Sequence, residues 1–296
     1  MKIGGHLLEQ VLGVKTNHEI LGENMGLVGT LGQPNMVTFV DDPKFLSEVE
    51  ENKNISAIFI TKELASKLTS PTIKKIICDD PRFHFYTLLN HLAKTSYQKK
   101  EVFIHPTAKI HPQAYISDHN VEIGENVIVE PNATILADVK IGDYCIIRVG
   151  AIVGSEGFEH KKTTRGVVSV YHDGKVMLDN HVEIGASSCV DKGFSFRDTT
   201  FGEYTKLDNM VHVAHGVQIG KRCLLAANAM IAGSVTIGDD VWIGPSAAIS
   251  NQITIGDNAA ITIGAVVTRN VESSQRVTGN FAIEHRKFLN FLKSIR

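Results

Sequence analysis

The sequence predicts a mainly β protein: a parallel β-solenoid of hexapeptides, with a small α/β unit before it and a short helix after it. Three observations predict this. From Phe201 an apolar residue stands at every sixth position for twelve positions, through Leu207, Val213, Ile219, Leu225 and Ile231 to Val267. An earlier series runs Ile104, Ile110, Ile116 and, after a one-residue slip, Ile123, Val129, Ile135, Ile141, Ile147 and Val153. Upstream of both, β-branched and aromatic runs precede a helical pattern.

A period of six matches neither the 3.6 of a helix nor the 2 of a strand. Repetition at a fixed period marks stacked units. Three hexapeptides close one triangular coil, with each apolar sixth residue pointing into the prism. Residues eighteen apart then stack on adjacent coils, roughly 4.8 Å apart. Each coil buries its apolar residue only against its neighbours, so stability accumulates along the stack. The next residue is often small: Gly124, Gly142, Gly220, Gly238, Gly244 and Gly256.

Residues 1–100 read as the α/β unit. "MVTFV", "ISAIFIT" and "KKIICDD" are strand-like runs bounded by turn residues. Asp80-Pro81 supplies a cap and a first-turn proline, and Phe85, Leu88, Leu89 and Leu92 follow at helical spacing. Residues 101–271 read as the solenoid, broken by a long loop at 154–177 where the period fails. Loops of that length in a repeat protein are commonly functional. Residues 272–296 read as a tail whose "FAIEHRKFLNFLKSIR" is a short basic amphipathic helix.

Composition narrows the function. A formal charge of −2 gives no reason to expect a nucleic-acid or membrane-surface partner. No apolar run reaches membrane-span length, and the N-terminus lacks a signal-peptide pattern, so a cytoplasmic protein is expected. Cys78, Cys145, Cys189 and Cys223 are scattered without a CxxC pair, which reads as free thiols and no metal.

The chemistry is expected in "LDNMVHVAHGVQIG". Val213 points inward, so His215 lies at a corner, and Gly233 lies one coil on along the same edge. A histidine base beside a bare backbone N–H suits acyl transfer: one takes a proton from an attacking amine, the other stabilises the oxyanion. Spacing alone leaves a second reading, in which His215 and His212 are polar corner residues.

"GSEGF", "HDGKVMLDNHVEIGASSCVDKG", "DTTFGEYTKLDNMVHVAHGVQIG" and "MIAGSVTIGDDVWIG" closely resemble the UDP-3-O-acylglucosamine N-acyltransferases of lipid A biosynthesis. The resemblance covers nearly the whole chain and implies a left-handed coil. It implies His215 as catalytic base and Gly233 as oxyanion donor, a homotrimer with its site between neighbouring prisms, and a nucleotide amino sugar as acceptor. It places Asn209, His212 and Gln252 on the substrate side; at 252 the family often has a further histidine. It also implies an N-terminal uridine pocket with two stacking aromatics, here Phe39 and Phe45 of "FVDDPKF". Asp42 stands where an asparagine is usual, and a carboxylate accepts hydrogen bonds without donating, which leaves UDP and dTDP sugars both open.

The family usually carries a longer helical tail, associated with acyl carrier protein. The short tail here points to an acyl-CoA donor, with acyl-ACP the alternative and no permanently bound cofactor. Lys161, Lys162 and Arg165 of the loop, with His160, Arg286 and Lys287, are the basic groups available to its phosphates. Two other readings compete. A gamma-class carbonic anhydrase-like zinc enzyme would use His212 and His215 with His172 or His181; a non-catalytic scaffold would leave the N-terminal pocket unexplained.

Overall fold

In the computed structural model, residues 2–30, 32–279 and 282–295 are described. Within residues 2–96, strands Asn24–Met25, Met36–Val40, Ile55–Ile60 and Lys74–Ile77 form one parallel sheet in chain order. The helix Pro81–Ser96 follows, and the Asp80 carboxylate caps it by accepting from the Phe83 N–H. Its Phe85, Leu88 and Leu89 are buried with Val37, Ala57 and Phe59 of the sheet and Leu8 of the helix Gly5–Leu12.

From Phe103 the chain winds into a triangular prism. Its walls are three parallel sheets of 8, 8 and 9 strands, each strand two to five residues long. The apolar sixth residues fill the prism from Val121 to Val271 as one core. Register confirms the eighteen-residue coil: His212 pairs with Met230, Leu224 with Trp242 and Ala248 with Val266. The corners explain the polar residues between apolar ones. Arg222, Asn228, Ser234, Asp240, Ser246, Gln252 and Asn258, six apart, all adopt left-handed backbone with φ of 55–61°. The glycines stack because space is short there: a Cβ on Gly220 would sit 2.6 Å from the Gly238 carbonyl carbon.

Three details correct the sequence reading. The stretch 154–177 is not an irregular loop. Its first residues continue the strand Ile152–Glu156, after a β-bulge at Gly154, and its centre is an antiparallel hairpin of His160–Thr163 with Gly166–Ser169. A second insertion breaks the period, since Val190 to Phe201 spans eleven residues where six were expected; Lys192–Asp198 bulges out of the corner. The solenoid also extends past Val271, because Arg276–Val277 pairs with Ala260 and Ile261. Among the described residues of the tail, only His285–Ser294 is helical, and none of its side chains is buried.

The hairpin is docked on the N-terminal unit. Asn90 donates to the Ser169 carbonyl and accepts from the Tyr171 N–H, both at 2.8 Å. The Thr164 N–H and hydroxyl donate to Asp80, at 2.6 and 2.7 Å. The hairpin is thereby held between the small unit and the prism.

Candidate active site

His215 sits at the corner where hairpin, second insertion and prism meet. Its Nε2 lies 3.2 Å from a Glu159 carboxylate oxygen, and both side chains are 13% exposed. Phe194 of the second insertion and His172 flank the imidazole, with ring centroids 5.4 and 5.6 Å away. Gly233 lies against the ring's Nε2 edge: a Cβ there would come within 2.5 Å of Nε2 and of Cε1. The Ser234 N–H donates to the His215 carbonyl at 2.9 Å and the Gln252 N–H to the Gly233 carbonyl at 3.0 Å. The Gly233 N–H donates no hydrogen bond among the described residues.

The electrostatics follow from enclosure. Burial alone pushes the Glu159 carboxyl up, but hydrogen bonds from His215 and Lys161 outweigh it and hold it down at about 2. Glu159 is therefore a carboxylate at any ordinary pH, and Lys161 pairs with it. His172 is 1% exposed, and neither of its ring nitrogens has a hydrogen-bond partner. Burial, reinforced by the nearby His215, pushes it down to about 4, so it is neutral.

Two cavities meet here. One of about 290 Å³ is lined by His215, Gly233, Glu159, Lys161, Phe194 and Gln252 among others. The second, about 730 Å³, runs along the N-terminal unit past Phe39, Phe45 and Arg82 to the second insertion. Leu27 and Gln252 line both, so the cleft over Phe39 and Phe45 adjoins the cavity at His215.

The structure brings His215, Gly233, Gln252, Phe39 and Phe45 into the lining of these two cavities. Phe39 packs on Phe85 and Tyr86 as well as lining the cleft, whereas Phe45 is 39% exposed. The other expected residues are placed elsewhere. Asp42 caps the turn Pro43–Phe45: the Lys44 N–H and then its ammonium bind the carboxylate and hold it below its usual range. Asn209 turns its amide oxygen to the Ala186 N–H, 2.8 Å away, on the preceding coil. His212 faces Asp191 at 3.7 Å, outside both cavity linings.

Among the basic loop residues, Lys161 is committed to Glu159, with its ammonium 5.3 Å from the Tyr86 ring centroid. Arg165 pairs with Asp79 at 3.2 Å and stacks over Phe83. Both are tethers within the chain, and of the three expected donor contacts only Lys162 is exposed and unpaired among the described residues. The three-histidine zinc site of the competing reading is not assembled among the described residues either, since His212 faces Asp191 and His181 stacks between Tyr144 and Tyr204.

Sequence reasoning missed Glu159 and Phe194, and it offered His172 only as a zinc ligand of the competing reading. Phe194 was signalled by the eleven-residue gap after Val190. No sequence signal placed Glu159 or His172 beside His215, because the hairpin fold brings them there.

The repeats define the class first. The family model described as "Bacterial transferase hexapeptide (six repeats)" matches residues 120–155 and 198–233, and that described as "Hexapeptide repeat of succinyl-transferase" matches 234–269. The chain carries bacterial-transferase hexapeptide repeats. It is 32% identical over 233 residues to the UDP-3-O-acylglucosamine N-acyltransferase of Coxiella burnetii, covering 68% of this chain and 66% of that one. It is 45% identical over 100 residues, 34% of this chain and 29% of the relative, to the protein of the same name from Caulobacter vibrioides. A UDP-N-acetylglucosamine acyltransferase from Campylobacter jejuni superposes with a TM-score of 0.50 at 21% identity, over 65% of this chain and 82% of that chain; this is a likeness of fold, the left-handed β-helix. The chain belongs to the family of UDP-3-O-acylglucosamine N-acyltransferases. It spans just under two thirds of the length of the Coxiella relative.

Proposed function

We propose that the protein transfers an acyl group from a thioester to the amine of a nucleotide-linked amino sugar. The observation that carries this reading is the shared lining: Leu27 and Gln252 border both the aromatic cleft at Phe39 and Phe45 and the cavity at His215 and Gly233. The base stacks in the cleft, the sugar passes Gln252, and its amine reaches Nε2 of His215. The amine displaces one hydrogen bond of Glu159, and the carboxylate stays beside it, held by Lys161.

The amine nitrogen attacks the thioester carbonyl as His215 takes its proton. The Gly233 N–H donates to the oxyanion that forms. Collapse of the tetrahedral intermediate breaks the carbon–sulfur bond, and the proton on His215 passes to the departing thiolate. The products are the amide and the free thiol, with no covalent enzyme intermediate. Glu159, which lies beside Nε2 itself and not on the far ring nitrogen, lowers the cost of the imidazolium by its charge.

The working form in this proposal is a cytoplasmic homotrimer. A prism wall supports it by leaving an apolar pair open: Leu224 and the adjacent Trp242 are 45% and 43% exposed. The donor is an acyl thioester on coenzyme A or on an acyl carrier protein. Mass spectrometry of products from UDP- and dTDP-amino sugars, offered with acetyl, hydroxybutyryl and long-chain thioesters of both carriers, tests the reading. An amide from one pairing supports it; thioester hydrolysis without amide in every pairing refutes it.

A further inference from the structure

We propose that Cys189, Asp191 and His212 form a binding site for one zinc ion on the wall of the prism, separate from the cavity at His215. Three rungs build it. Cys189 and His212 are in register on neighbouring strands, so their side chains leave the same wall one above the other. Asp191 follows two residues after Cys189 on the same strand and therefore points to the same side. On the third rung the bulge at Gly154 shifts the register and sets Ser155 opposite Asp191.

The ligand atoms already converge. Cys189 Sγ lies 3.7 Å from Asp191 Oδ1, His212 Nε2 lies 3.7 Å from Asp191 Oδ2, and all three donor atoms fall within 4.8 Å of one another. Donor atoms around a tetrahedral zinc stand about 3.3–3.6 Å apart, given bonds of about 2.0–2.3 Å. Each separation must close somewhat, the widest most, and His212, whose side chain is 44% exposed, is free to turn. Ser155 Oγ, 2.5 Å from Asp191 Oδ1 and 3.3 Å from Cys189 Sγ, stands beside the fourth position, which a water completes.

The charge distribution gives an independent reason. Asp191 is 5% exposed, and its one ion-pair partner among the described residues is His212. The adjacent Lys192 turns to Asp138 instead. A carboxyl group so enclosed needs either a proton or positive charge beside it, and a metal ion supplies the second. Thiolate, imidazole and carboxylate together select zinc over magnesium or calcium, which take all-oxygen shells. Binding displaces the Cys189 thiol proton to solvent and ties Ile152–Glu156, Cys189–Lys192 and His212–Val213 together. The site stands independently of acyl transfer.

Titrating the metal-stripped protein with cobalt(II), and then displacing it with zinc, tests the site. The expected result is about one equivalent per chain, with sulfur-to-cobalt charge-transfer absorption that zinc removes. Cys189→Ser should abolish the band, and His212→Ala should weaken binding by roughly 10- to 100-fold. Should Cys189→Ser fail to fold, His212→Ala at its half-exposed position decides the question through affinity. A wild-type protein without the band, or a band that survives Cys189→Ser or keeps full affinity in His212→Ala, overturns the proposal.

Discussion

An alanine at position 233 would place its Cβ inside the imidazole of His215. The added methyl falls 2.5 Å from Nε2 and Cε1 and 3.1 Å from Nδ1, while ordinary contact begins at 3.4 Å. The ring must therefore retreat by about 0.9 Å, the difference between 3.4 and 2.5. Its way out is closed by Phe194 and His172, and by Gly157, where even an added Cβ would lie 2.8 Å from the His215 Cβ. Misplacing a catalytic group by about 1 Å costs on the order of 10²-fold in rate. Gly233→Ala should lower kcat by about that factor, with nucleotide affinity held within about twofold because the Phe39 cleft is remote. Steady-state turnover with the amino-sugar acceptor, beside a thermal melt, measures this. Gly279→Ala, whose Cβ meets nothing nearer than 3.8 Å, is the control. A Gly233→Ala protein that keeps a third of wild-type turnover would refute the placement of base and oxyanion donor at this corner.

Three further outcomes follow from the site. His172 falls from 6.5 to about 4 on folding, so the unfolded chain binds more protons between those values and stability is lost as pH falls through them. Between pH 7 and pH 5 this group should remove about 2 kcal/mol; urea melts of wild type and His172→Gln should diverge by that amount, and parallel curves would show the ring is not held neutral. Glu159→Gln should lower kcat roughly 10- to 100-fold with a smaller change in KM, because the carboxylate acts on the charge that develops at His215; a change in KM alone would make it a binding residue only. Phe45→Ala should weaken nucleotide binding by about 5- to 150-fold, the worth of one base stack, with little effect on the melt; unchanged affinity by calorimetry would take the base out of the cleft.

The prism was legible because its cause is local. Each coil repeats one demand, an apolar residue inside and a left-handed corner, and the sequence answers it every six residues from Phe201 to Val267. His215 and Gly233 were legible for the same reason, since a strict eighteen-residue coil stacks them. What the period does not control was not legible. Glu159 and His172 approach His215 only because the hairpin folds back and is fixed to Asp80 and Asn90, about 80 residues earlier in the chain. Lys161 and Arg165 looked available for phosphates, yet Glu159 and Asp79 had already claimed them. Asn209 and His212 lie beside the base in sequence, but the prism wall and the preceding coil turn them away from it.

The most direct measurement is amide formation by the wild-type protein and by His215→Ala under identical conditions, with the nucleotide amino sugar and thioester that give the best turnover. The mass of the product should equal acceptor plus acyl group, with one equivalent of free thiol released. With His215 as the base, His215→Ala should form this product about 10²- to 10⁴-fold more slowly, with an unchanged melt and unchanged nucleotide affinity. A variant that keeps more than about a tenth of wild-type turnover would contradict the assignment of His215 as the base.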